Sequence, residues 1–399
     1  MAELLRSLQD FQLVARFQRR CGLFPAPEEG PQEDSVGPVE GAAQGPGTGH
    51  LPAANSKGDR GPANGLRRAP APQAYTQKYI VKNYFYYYLF RFSAALGQEA
   101  FYITFLPFTQ WNIDPYLSRR LVIIWVLVMY IGQVAKDILK WPRPSSPPVV
   151  ILEKRIIAEY GMPSTHAMAA TTISFTFLIS TMDRYEYPFV LGLMVALVFS
   201  TLVCLSRLYT GMHTALDVLG GVLITALLIA LTYPAWTLID HLDSASPLLP
   251  VCVIVVPFFL CYHYPVSDCY SPTRADTTTI LAAGAGVTIG FWINHFFQLV
   301  SKPTESLPVV QNIPPLTTDM FVLGLTKYTV GIGLILLVRQ LVQNLSLQVL
   351  YSWFRVVIRN KEARRRLEIE VPYKFVTYTS VGICATTFVP MLHRLLGLL

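Results

Sequence analysis

The sequence predicts an all-α fold, a polytopic membrane bundle of about 8–10 transmembrane helices. Two observations carry that reading. Of its residues 52% are hydrophobic and only 14% charged, with a mean hydropathy of +0.39, whereas soluble proteins carry roughly a quarter charged residues. The apolar residues also gather in runs of the length a helix needs to cross a bilayer, about 20 residues.

Candidate spans lie near 84–108, 119–138, 166–182, 188–205, 215–235, 247–263, 278–300, 319–341 and 373–392. Residues 1–24 fit a short amphipathic helix, with Leu4, Leu5, Leu8, Phe11 and Leu13 as its apolar positions. Residues 25–76 are rich in Gly, Pro and Ala and hold few large apolar side chains, so they are expected to form a disordered linker. Residues 77–240 form the membrane core that holds the motifs below, and 241–399 supply additional C-terminal spans. The aromatic run Tyr84–Tyr88 opens the first span as an interfacial girdle. Glu99 inside that span is read as a helix-contact residue, and Lys327 in the eighth has no explanation in sequence. Four prolines between 142 and 148 exclude a helix there, and Leu152–Tyr160 is expected to be a short interfacial helix. Gly284, Gly286 and Gly290 would permit close helix packing.

The net charge of +7 is concentrated at the N-terminus (Arg6, Arg16, Arg19, Arg20) and in Arg355–Arg366. These clusters flank spans, which points to anionic lipid headgroups and not to nucleic acid. Six cysteines (Cys21, Cys204, Cys252, Cys261, Cys269, Cys384) show neither a disulfide framework nor zinc-ligand spacing. No cleavable signal peptide is expected from the first 25 residues.

Three motifs carry the chemistry. The first runs from Lys136 through six residues to Arg143-Pro144. The second is Pro163-Ser164-Thr165-His166. The third is Ser206-Arg207, five residues, His213, three residues, Asp217. All fall at span ends, and two spans separate the second from the third, so all three face one side of the membrane. A phosphate monoester under attack needs its oxygens neutralised, a nucleophile, and an acid for the leaving alkoxide. Arg143 and Arg207 suit phosphate clamping. Lys136 adds a point charge, and Ser164 a hydroxyl beside the N-terminus of the third span. His213 and Asp217, four apart, share a helix face. The carboxylate would orient the ring, leaving one nitrogen to attack phosphorus. His166 then fits the general acid. His50, His241, His263, His295 and His393 form no metal-ligand pattern, and no carboxylate cluster suggests magnesium or zinc. The reading is metal-independent hydrolysis without a cofactor.

At these residues the chain resembles the type 2 phosphatidate phosphatase superfamily, which includes vanadium haloperoxidases and glucose-6-phosphatase. Its signature is K-x6-RP, PSGH and SR-x5-H-x3-D, and Thr165 stands where the family usually has glycine. The Pro-Ser-Thr-His variant, the Trp-Pro-Arg-Pro-Ser-Ser-Pro-Pro loop and the aromatic opening resemble the sphingosine-1-phosphate phosphatases over essentially the whole chain. That resemblance implies removal of phosphate from sphingosine-1-phosphate and dihydrosphingosine-1-phosphate. It also implies an endoplasmic reticulum membrane address with a lumenal active site. The implied partners are the membrane lipid substrate and the bilayer.

The motifs do not discriminate headgroups. A broad lipid phosphate phosphatase acting on phosphatidate or lysophosphatidate stands as the alternative, and a non-catalytic transporter or scaffold as a third reading. Two orientations satisfy parts of the charge pattern. A lumenal N-terminus makes Arg119 and Arg120 cytosolic, whereas a cytosolic N-terminus suits its own arginines.

Overall fold

The computed structural model describes residues 2–26, 78–153, 159–182, 184–240, 247–265, 272–299, 317–357 and 361–398. From residue 27 onward, the expected linker lies outside them. The helices are α1 (Ala2–Gln9), α2 (Phe11–Arg20), α3 (Tyr84–Leu96), α4 (Glu99–Asn112), α5 (Pro115–Leu139), α6 (Thr165–Met182), α7 (Phe189–Tyr209) and α8 (Ala215–Thr232). They continue with α9 (Trp236–Asp240), α10 (Leu249–Tyr262), α11 (Pro272–Phe296), α12 (Thr318–Trp353), α13 (Lys361–Arg364), α14 (Leu367–Ile383) and α15 (Val389–Leu395). Strands β1 (Leu23–Pro25) and β2 (Tyr79–Val81) pair antiparallel, with Leu23 opposite Val81.

Among the described residues, six helical stretches are long and apolar enough to cross a membrane: Pro115–Leu139, Phe189–Tyr209, Ala215–Ile239, Pro272–Phe296, Thr318–Trp353 and Leu367–Leu395. Leu249–Tyr262 is apolar but shorter. The chain is a multi-pass membrane protein. Helix α6 is different. Its Thr171, Thr172, Thr176 and Thr181 are buried, and Thr171 Oγ1 meets Ser200 Oγ of α7 at 2.8 Å. Hydroxyls this numerous belong inside a bundle, where neighbouring helices satisfy them.

The expected first span, 84–108, is broken. α3 ends at Gly97 and α4 begins at Glu99. The pair runs alongside α7: Phe90 stacks near Tyr209 with centroids 4.8 Å apart, and Phe101 meets Phe199 at 5.7 Å. A Cβ on Gly97 would lie 2.9 Å from Val203 Cγ1 and 3.6 Å from His166, so the break is where backbone approaches the α6 and α7 helices. Of the helix expected over Leu152–Tyr160, Leu152, Glu153, Glu159 and Tyr160 are non-helical, and 154–158 lie outside the described residues.

Small residues let α11 and α14 cross closely. A methyl on Gly286 would overlap the Thr379 carbonyl, and one on Gly382 would lie 2.7 Å from the Ala283 oxygen. Gly290 faces Thr386 in the same crossing, while Gly284 faces Val126 of α5. The glycine reading of this span therefore holds. Lys327 is half-buried, and its carbonyl meets His393 Nε2 at 2.9 Å.

The N-terminal helices dock on the loop that follows α5. Val14, Ala15 and Gln18 of α2 are buried. Gln18 Nε2 donates to the carbonyls of Val150 (2.7 Å) and Tyr209 (2.9 Å), and its Oε1 accepts from the Val150 N–H at 3.0 Å. One amide thus ties the 140–153 loop to the end of α7. Removing it leaves buried backbone groups unsatisfied, a cost of about 1–3 kcal/mol. Gln18→Ala should raise hydrogen exchange at the Val150 amide by roughly tenfold or more while the bundle stays folded. Unchanged exchange would mean that the amide does not hold the loop.

Candidate active site

The three motifs converge at one end of the bundle. Lys136 sits in the last turn of α5, which stops at Lys140 in a left-handed conformation (φ 49°). Pro142 and Pro144 follow, and Arg143 projects from this loop. Ser164, Thr165 and His166 open α6, and Ser206 and Arg207 close α7. Backbone bonds stitch these ends together. The Ser164 N–H donates to the Asp217 carbonyl at 3.1 Å, and the Gly161 N–H to the Trp141 carbonyl at 2.7 Å. Arg143 Nη1 reaches the Met212 carbonyl at 3.3 Å.

Three cations line the site from different elements. Lys136 is 1% and Arg207 0% exposed, an environment in which a charge needs a partner. Two carboxylates supply it. Glu159 Oε2 lies 3.4 Å from Lys136 Nζ and 3.3 Å from Arg143 Nη2, and the Glu159 carbonyl accepts from Arg143 Nε at 2.7 Å. Glu153 Oε1 lies 2.8 Å from Arg207 Nη2. Lys136 Nζ also donates to Thr165 Oγ1 at 3.2 Å. Arg207 Nε and Nη1, and Ser164 Oγ, are buried and have no partner among the described residues. Unspent donors beside three cations are what an anion with several oxygens would fill.

His213 does not open α8, as its spacing to Asp217 suggested. The helix starts at Ala215 behind the N-cap Thr214, so His213 precedes it. Its proximity to Asp217 comes from a capping box. Asp217 Oδ2 accepts the Thr214 N–H at 2.7 Å, and Thr214 Oγ1 accepts the Asp217 N–H at 3.2 Å. The same Oδ2 stands 3.8 Å from His213 Nδ1, longer than a hydrogen bond. His213 is 1% exposed. Burial first, then Arg143, Lys136 and Arg207, hold its pKa well below the usual histidine range, against an opposing pull from the Gly161 backbone. Its Nδ1 is buried and has no hydrogen-bond partner among the described residues. His166 lies within electrostatic reach of His213, Arg207, Lys136 and Arg143.

The structure therefore brings together Lys136, Arg143, Ser164, His166, Arg207, His213 and Asp217. Sequence reasoning missed four further residues. Thr214-x-x-Asp217 is a legible capping signature. Thr165 receives Lys136, a role glycine has no side chain to fill. Glu153 and Glu159 carried no signal, because their loop has no periodicity to place them.

The sequence profile of the PAP2 superfamily matches residues 118–239. The human sphingosine-1-phosphate phosphatase 2 is 87% identical over 398 residues, covering 100% of both chains. The rat sphingosine-1-phosphate phosphatase 1 is 38% identical over 430 residues, covering 100% of this chain and 98% of its own. A dihydrosphingosine 1-phosphate phosphatase of Schizosaccharomyces pombe is 30% identical over 215 residues, 51% of each chain. No solved structure matches the chain. With cations, histidines and capped carboxylate in place, and with full-length similarity on both counts, the chain belongs to the sphingosine-1-phosphate phosphatases of the PAP2 superfamily.

Proposed function

We propose that this chain is a phosphoric monoester hydrolase that converts sphingosine-1-phosphate and dihydrosphingosine-1-phosphate to the free base and inorganic phosphate. It works without a metal ion and through a phosphohistidine. The observation that carries this is a buried His213 3.8 Å from Asp217, with burial, Arg143, Lys136 and Arg207 all lowering its pKa. The names of the full-length relatives support the substrate class.

The substrate phosphate enters between Lys136, Arg143 and Arg207, displacing Glu159 and Glu153. The Ser164 hydroxyl and the first N–H groups of α6 complete its cradle. His213 Nε2 attacks phosphorus as the ester P–O bond breaks, and His166 gives its proton to the departing alkoxide. Asp217 stabilises the positive charge that develops on the His213 ring. Water then attacks the phosphohistidine, His166 takes its proton back, and the N–P bond breaks. The three cations and the helix N-terminus supply the charge neutralisation for which other phosphatases use metal ions.

The proposed address is the endoplasmic reticulum membrane with the site lumenal. Arg119 and Arg120, at the start of α5, and Arg184, in the turn after α6, lie at the end of the bundle away from the site. The positive-inside rule favours that end as cytosolic; the arginines of α2, on the site's side, oppose it.

Three outcomes are expected. His213→Ala should abolish phosphate release, and rapid quenching of wild type in EDTA should trap an acid-labile phosphohistidine. Asp217→Asn should fold but lose most of its rate, because the amide favours the wrong ring tautomer. Full turnover by His213→Ala, or strict dependence on added magnesium, would refute the scheme.

The depressed His213 pKa sets the acid limb of the pH profile. The neutral ring attacks, so activity is present above its pKa and lost below it. The acid limb of kcat/KM, corrected for substrate ionisation, should fall below about 6.5, the unperturbed histidine value. A limb at or above that value would contradict a neutral buried ring.

His166 is tested by leaving group. Sphingosine is a basic alcohol whose departure needs a proton, whereas p-nitrophenol leaves without one. His166→Ala should lose roughly 10²–10⁴-fold on the lipid and far less on p-nitrophenyl phosphate. Equal losses would return His166 to phosphate binding.

A further inference from the structure

One turn into the membrane from the phosphate-binding cations, four helices gather acidic groups that the mechanism above does not use. α5 and α11 run antiparallel, so their residues match by height. At the site end Thr273 Oγ1 donates to Asp137 Oδ1 at 3.5 Å. Two turns deeper, Met129 and Ile280 share an apolar cluster with Tyr102 of α4 and Ala169 of α6. Between these levels lie Gln133 of α5 and Asp276 of α11, each one turn from both. His166 stands one turn from Ala169, and Glu99 one turn from Tyr102, on their own helices.

Asp276 lies within electrostatic reach of Glu99, Glu159, Glu370 and Lys374. Glu370 is held by Arg274 at 2.9 Å, and Glu159 by Lys136 and Arg143. Asp276 makes no hydrogen bond or ion pair among the described residues. Lys374 is a further cation in its reach. A second observation is independent of the acids. Gln133 is 7% exposed and its Oε1 has no hydrogen-bond partner among the described residues. An amide oxygen only accepts. Its helical position, three residues from Lys136 and four from Asp137 and Met129, turns it into the space between α6 and α11. An orphaned acceptor on the face of α5 that meets α11, at the height of Asp276, lacks a donor.

We propose that Asp276, together with Glu99 and the Gln133 amide oxygen, binds the ammonium group of an amino-alcohol phosphate. This subsite would select sphingoid base phosphates over glycerol-based lipid phosphates. The proposal rests on the phosphatase reading above and names what sets its headgroup choice. In a sphingoid base 1-phosphate the ammonium sits on the carbon next to the one that bears the phosphate, so the two charges must be bound close together. One helical turn, about 5.4 Å, separates the level of the cations from that of the acids. Phosphate entry also frees Glu159 from Lys136 and Arg143, which adds a carboxylate beside the ammonium. A lysophosphatidate has a neutral hydroxyl at that carbon and leaves the acids uncompensated.

The test compares three substrates in detergent micelles with the purified full chain: sphingosine-1-phosphate, its N-acetyl analogue, which lacks the charge, and lysophosphatidate. Wild type should prefer the first over the other two. Asp276→Asn should lose roughly 10- to 100-fold in kcat/KM on sphingosine-1-phosphate, mostly through KM, the scale of a lost charge-assisted hydrogen bond. On the two substrates without an ammonium its loss should stay within about threefold. Asp276→Glu should restore the preference, and Glu99→Gln should shift it in the same direction as Asp276→Asn. Equal losses on all three substrates, or a wild type that turns over the N-acetyl analogue as fast as sphingosine-1-phosphate, would overturn the subsite alone. The second comparison holds even if the Asp276 variants do not fold. No phosphate release from sphingosine-1-phosphate by wild type would overturn the activity and the subsite with it.

Discussion

The site depends on one electrostatic constraint: three cationic side chains are held out of water at one end of a membrane bundle. Charges buried this deeply are tolerable only when partnered. Glu159 and Glu153 are the partners, with oxygens 2.8–3.4 Å from the nitrogens they meet. In the proposed mechanism those carboxylates hold the places of a phosphate dianion, which offers more oxygens to the two guanidinium forks and the ammonium. Under that proposal part of the binding energy is offset by displacing two carboxylates, and a loop outside the motifs tunes affinity.

The rest of the fold serves that end of the bundle. Helix α2 fixes the 140–153 loop through a single glutamine that also touches the end of α7. The Ser164–Asp217 backbone bond locks the starts of α6 and α8 together. The break at Gly97 lets the first crossing approach His166 and places Glu99 at the exposed start of α4. The close α11–α14 crossing fixes α11, which supplies Asp276. Away from the site, α12 exposes apolar residues such as Leu337 and Val349, as a helix facing lipid does.

The legibility of the chain in sequence divides by the range of the forces involved. Spans are set by local composition, and most expected spans correspond to helices with shifted ends. The catalytic motifs were legible because their chemistry needs fixed residue types, and the structure brings all seven residues together. The break in the first span was not read, because Gly97 costs a helix little by itself and acts only through contact with His166 and Val203. The relation of His213 to Asp217 was read as a shared helix face. It is instead a capping box with the histidine outside the helix, and the i, i+4 spacing is the same in both cases. Glu153 and Glu159 were invisible for a different reason: each pairs with cations distant in sequence.

The central claim is that phosphate and Glu159 compete for the same cations while His213 faces the phosphorus. A structure with bound orthovanadate tests it most directly, because the five-coordinate adduct mimics the transition state. The account requires a bond from His213 Nε2 to vanadium, with Lys136, Arg143 and Arg207 on the vanadate oxygens and Glu159 turned away from both Lys136 and Arg143. Vanadate seated elsewhere, or bound while Glu159 still bridges Lys136 and Arg143, would contradict it.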